Sequence, residues 1–86
     1  MELIEACRVG NIDMVRLLVK PGANINSADI NERTPLILAT SLENVEIVRL
    51  LLDAGANPNI LDNENQTALD YAVLSNHDGL ILLLED

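Results

Sequence analysis

Aromatic residues are almost missing from this chain: Tyr71 stands alone, with no Phe and no Trp. The core must therefore be built from Leu, Ile, Val and Ala, and the base-stacking surface that single-stranded nucleic acids require is excluded. Cations are scarce too. Five Lys and Arg stand against 14 Asp and Glu, for a formal charge of −9, which repels a phosphate backbone and an anionic bilayer alike. No nucleic acid and no membrane is expected as a partner; a protein that is basic or neutral at the contact is. Long hydrophobic runs are also lacking. The longest, Leu80 to Leu84, falls far short of the roughly 18 to 20 residues of a membrane-spanning helix. The opening Met1-Glu2-Leu3-Ile4-Glu5 has no basic region of the kind that starts a secretory signal. With Cys7 the single cysteine, no intrachain disulfide can form. A reducing compartment is expected, the cytoplasm first and the nucleus as the alternative.

The residues of chemistry are equally thin. His77 is the only histidine, and one His with one Cys falls short of a structural zinc set. Gly10, Gly22, Gly55 and Gly79 are scattered and form no phosphate cradle. Asp62-Asn63-Glu64-Asn65 begins like a calcium loop but has neither its glycine nor its distal bidentate Glu. Cys7 is expected to be a buried, inert thiol and His77 a structural residue. The chain is read as a non-enzyme, with no catalytic residue, cofactor or metal.

What the chain does have is periodicity. A shift of 33 residues places Leu17-Leu18 on Leu50-Leu51 and then on Leu83-Leu84. The same shift carries Ala6 to Ala39 and Ala72, Leu3 to Leu36 and Leu69, and Val15 to Val48 and Ile81. Gly22-Ala23-Asn24 meets Gly55-Ala56-Asn57, Asn26 meets Asn59, Asp29 meets Asp62, and Thr34 meets Thr67. Small, large and turn residues keep one register, so composition does not explain it. A period of this length marks a solenoid.

Each period has an internal grammar. Thr34-Pro35 opens a helix, Thr as the cap and Pro at the first position, where no donor is needed. Leu36, Ile37 and Ala39 give a short apolar stripe ending near Ser41. A second helix starts at about Asn44, with Val45, Ile47, Val48, Leu51 and Leu52 facing inward at helical spacing. Gly55 ends it, a residue suited to the left-handed backbone. A polar loop follows to Gln66. One such unit cannot bury both faces, but stacked units merge their stripes into a continuous core. Asp13 with Arg16, and Glu46 with Arg49, form i, i+3 pairs at equivalent positions, expected to ladder along the exposed side of the second helices.

The segment Asp29-x-x-x-Arg33-Thr34-Pro35-Leu36, with Leu50-Leu51-Leu52-Asp53-Ala54-Gly55-Ala56-Asn57-Pro58-Asn59, resembles the ankyrin repeat over essentially the whole chain. The resemblance implies an all-α ankyrin-repeat solenoid of stacked helix-turn-helix units joined by β-hairpin-like loops. Residues 1–86 form one domain, with units at about 1–28, 29–61 and 62–86. The first and last units look like caps. Arg8, Arg16, Glu5 and Glu85-Asp86 suit capped ends, whereas Leu80 and Leu82 suit an apolar end face. Glu32 and Asn65 stand where the family has Gly in its loop, and Glu43 where Gly10 stands in the first unit. Ile37 and Asp70 replace the usual His after Thr-Pro-Leu, and Asp70 is placed for a capping box with Thr67.

The resemblance also implies where a partner docks: on loop tips and the concave face of the first helices. By position these are Ile30, Asn31 and Arg33 in one loop, and Asn63, Glu64 and Gln66 in the next, with Leu61 just before it. On the first helices they are Ser41, Leu42 and Leu74. Ile30, Leu42, Leu61 and Leu74 are apolar where the core does not need them, and Arg33 is the polar anchor. A protein-protein interaction module is expected. The alternatives are a stand-alone inhibitor masking an enzyme through this surface, and a structural fragment of a longer ankyrin array. A monomer is expected, with self-association through the end faces as the alternative.

Overall fold

A computed structural model describes residues 2–85 of the chain. Six helices and no strand make up the described residues: α1 (Leu3–Val9), α2 (Ile12–Leu18), α3 (Pro35–Ser41), α4 (Val45–Asp53), α5 (Ala68–Leu74) and α6 (Asp78–Leu84). All are short, well below the length at which an isolated helix is stable in water, so packing and caps must hold them.

The caps recur with the repeat. Thr34 and Thr67 accept from the backbone N–H three residues on, and Pro35 follows Thr34. Asp70 closes a capping box by accepting the N–H of Thr67 at 2.9 Å. Before the second helices the acceptors are Asn11, Asn44 and His77 at one register position. His77 is thus structural: its Nδ1 accepts the N–H of Leu80 at 3.2 Å. Between the helices of each pair the chain turns through the left-handed region at Gly10 (φ 74°), Glu43 (φ 58°) and Asn76 (φ 55°).

The helices form two layers. α3 lies between α1 and α5, and α4 between α2 and α6. Ala6, Ala39 and Ala72 are fully buried, and their small side chains let the first helices approach closely. Val15, Ile47, Val48, Leu51 and Leu80, on the second helices, are fully buried in the same core. Cys7 and Thr40 are buried at one register position. The Thr40 hydroxyl donates to the Leu36 carbonyl at 2.7 Å, and burial pushes the Cys7 thiol up to about 11. Among the described residues no buried side-chain polar atom lacks a partner.

Three expectations are corrected. Leu80 is 0% exposed: it occupies the register of Ile47 in the core and contributes nothing to an end face. Leu82 is 74% exposed but stands at the register of Arg16 and Arg49, on the outer surface of the second helices. The ion pairs do not repeat as i, i+3 units either. Arg16 reaches Asp13 at 3.4 Å and Glu46 at 2.7 Å. Glu46 turns to the cation of the neighbouring helix, and no salt bridge joins it to Arg49 among the described residues. The ladder therefore ties α2 to α4.

Candidate protein-binding surface

Two hairpin turns precede α3 and α5. In the first, the Asp29 N–H donates to the Arg33 carbonyl at 3.0 Å and the Glu32 N–H to the Asp29 carbonyl at 2.9 Å. In the second, Asp62 with Gln66, and Asn65 with Asp62, make the same bonds at 3.0 Å. Both turns pass through positive φ, at Glu32 (61°) and Asn65 (59°), the positions where the resemblance noted above implies glycine. They are tied side by side: the Asn63 N–H donates to the Asn31 carbonyl at 3.1 Å. The loops following α2 and α4 are joined too, the Asn57 N–H donating to the Asn26 side chain at 2.9 Å.

An aspartate organises each hairpin. The Asp29 carboxylate, its side chain only 6% exposed, accepts from the N–H groups of Asn31 and Arg33, each at 2.9 Å. Its other oxygen receives Arg33 Nε and Arg8 Nη2, each at 3.2 Å. The Asp62 carboxylate accepts from the N–H groups of Glu64 and Gln66 at 2.9 and 3.0 Å, and from the Tyr71 hydroxyl. Burial pushes the Asp29 carboxyl up, but the N–H groups of Arg33 and Asn31 and the Arg33 guanidinium outweigh it and hold it below the ordinary Asp value. At Asp62 burial is likewise outweighed, by the Tyr71 hydroxyl and the Gln66 and Glu64 N–H groups. The bond to Asp62, with burial, pushes the Tyr71 hydroxyl up to about 12. Spacing alone aligned Asp29 with Asp62 but revealed no role; the signal was an Asp two and four residues before the N–H groups it accepts.

The expected surface residues divide into two groups. Asn31, Arg33, Asn63 and Glu64 line a shallow cleft of about 330 Å³ between the hairpin tips. Ile30 projects beside it, 94% exposed, and Leu61 is exposed where the chain enters the second hairpin. Gln66 is half-buried at the base of that hairpin. Arg33 is half-buried as well, because it holds Asp29 while bordering the cleft. Ser41 and Leu42, at the C-terminal end of α3, and Leu74, at that of α5, are exposed. A seven-residue helix, about 10 Å of rise, separates them from the hairpins. The structure does not gather the two groups into one pocket.

Leu42 instead borders an open groove of about 840 Å³ with Arg16, Glu43, Asn44, Val45, Glu46, Arg49, Leu50 and Asp53. Of these charges, Arg16, Glu46 and Arg49 are expected from the sequence to belong to a solvated face of the second helices. Glu46, Arg49, Leu50 and Asp53, at helical spacing along α4, are the stripe that shows the groove.

Stacked helix pairs with a projecting hairpin before each of the later first helices define a helical-repeat solenoid. A family model for ankyrin repeats, in three copies, matches residues 3–86; the chain belongs to the ankyrin-repeat family. Ankyrin repeats are protein-protein interaction modules. The comparison with curated proteins returned no match.

Proposed function

We propose that this chain binds a partner protein through its hairpin tips, with the exposed ends of its first helices as a second contact. The observation that supports this reading is Ile30. A β-branched apolar side chain stands 94% exposed on a turn held by four hydrogen bonds to the Asp29 side chain. Nothing in the core requires it there. Such a rigid apolar projection loses little conformational entropy on docking, and burying it contributes about 1.5 to 3 kcal/mol. The adjoining cleft supplies amide and charged groups for hydrogen bonds. The acidic whole favours a contact that is basic or neutral.

Affinity capture from a host lysate, with bound proteins identified by mass spectrometry, tests this with two folded variants. Ile30→Glu with Leu61→Glu alters the hairpins; Leu42→Glu with Leu74→Glu alters the helix ends. All four side chains are exposed, so circular dichroism should be unchanged. A protein held by the native chain and lost from the hairpin variant is the expected outcome, with weakened capture by the helix-end variant. Identical capture by all three chains would remove this surface from consideration.

A further inference from the structure

The cleft between the hairpin tips has unlike walls. Arg33 and Glu64 line it with Asn31 and Asn63, and the repeat puts Gln66 at the register of Arg33 and Asn31 at that of Glu64. One hairpin thus contributes a guanidinium and the other a carboxylate. Among the described residues no salt bridge joins Glu64 to Arg33, nor to Arg8, Arg16, Lys20 or Arg49. Arg33 bonds Asp29 through Nε, and neither of its Nη nitrogens has an acceptor among the described residues. Asn31 and Asn63 bond through their main chains alone, so their carboxamides are without partners there too.

That set of groups selects among ligands. An anion needs donors alone, and the Glu64 carboxylate repels it. A lone ammonium needs acceptors alone, and the Arg33 guanidinium repels it. A peptide unit carries one N–H and one C=O, and the cleft has a partner for each. Arg33 Nη suits the C=O and Glu64 the N–H, while Asn31 and Asn63 serve either. Size selects again. One turn of an α-helix, about 5.4 Å long and 10 to 12 Å across, takes up more space than the cleft, which holds about 330 Å³. Extended chain, at about 3.3 Å per residue, fits as a run of about two or three residues. Ile30, 94% exposed beside the cleft, is an apolar surface for one side chain of that run.

We propose that the cleft binds the main chain of an extended segment of the partner protein, with an apolar side chain of that segment laid on Ile30. This mode of binding rests on the hairpin reading above and names what the hairpins hold. Main-chain hydrogen bonds supply affinity, and the contact with Ile30 selects the side chain. Acidic side chains in the segment are disfavoured, because Glu32 and Glu64 are exposed and in no salt bridge among the described residues.

The probe is a short blocked peptide with one central valine flanked by serine and threonine, titrated into the native chain and followed by amide resonances. It should shift Asn31, Arg33, Asn63 and Glu64. The same peptide N-methylated at its central residues lacks the main-chain donors, and should bind roughly tenfold more weakly. A peptide with glutamate on either side of the valine, and a helix-forming alanine peptide, should also bind more weakly. Arg33→Gln copies Gln66 of the second hairpin and leaves Asp29 its bonds to two N–H groups and Arg8. It should weaken binding of the valine peptide roughly tenfold, and Glu64→Ala by a similar factor. Asp53→Asn, on α4, should change affinity by no more than about twofold. Absence of shifts, shifts away from the hairpins, or affinity unchanged by N-methylation or by both Arg33→Gln and Glu64→Ala would overturn the proposal. So would tighter binding of the glutamate or the helical peptide. If lysate capture still depended on Ile30 and Leu61 in those cases, the hairpin reading would survive alone; identical capture by all chains would remove both.

Discussion

Asp29 and Asp62 show how much one carboxylate can hold in place. Each receives backbone N–H groups from its own hairpin and a side chain from elsewhere, Arg8 in one case and Tyr71 in the other. Asp62→Ala leaves the Glu64 and Gln66 N–H groups and the Tyr71 hydroxyl without their acceptor. It should lower stability by about 1 to 3 kcal/mol, read from urea unfolding, without altering the helices. Acid should act on the same bonds. Both carboxyls titrate below the ordinary Asp value of 3.8 in the fold, so protonation favours the unfolded chain. Their contribution is complete above that value and is lost as pH falls through the lower folded values. Urea midpoints should hold level from neutral pH towards pH 4 as far as these two groups are concerned, then fall. In Asp62→Ala the acid-dependent part of that fall should shrink.

The helix pair is the next scale, and its turn is where the element is under strain. Gly10, Glu43 and Asn76 occupy one register position with φ between 55° and 74°. Glycine adopts that backbone freely, Asn with some ease, and Glu at a cost of about 1 kcal/mol. Glu43 is exposed, so its side chain has no packing to lose. Glu43→Gly should therefore stabilise the chain by up to about 1 kcal/mol, a rise of roughly 4 to 8 °C in thermal midpoint for a chain of this size. A fall in the midpoint would show that the Glu43 side chain contributes more than the turn loses.

At the scale of the whole molecule, the middle pair carries both neighbours. Ile47 is fully buried in α4, which packs against α2 and α6. Removing most of that side chain costs about 2 to 5 kcal/mol, against a total stability of roughly 4 to 13 kcal/mol for 86 residues. None of the six helices is long enough to persist without its neighbours. Ile47→Ala should consequently weaken all three pairs together. Far-ultraviolet circular dichroism and hydrogen exchange should report one earlier, still cooperative transition. Separate melting of one pair would show that the stack is less tightly coupled than its packing implies.

The sequence by itself determined the family, the all-α architecture and the helix positions to within a residue or two. Those depend on local chemistry repeated at a fixed interval: threonine caps at 34 and 67, apolar stripes, and glycine stops at 22 and 55. It also marked Ile30, Leu42, Leu61 and Leu74 as apolar side chains without a core role, and all four are exposed. The tertiary structure alone decided which groups meet. Arg16 bonds Glu46 across two helices, Arg33 is drawn partly into holding Asp29, and Leu80 enters the core while Leu82 does not. It also split the expected surface, placing four hairpin residues around one cleft and Leu42 beside another. A period records which residues are equivalent. It does not record which side of each helix the neighbouring pair covers, because that depends on the rotation and spacing set by the packed core.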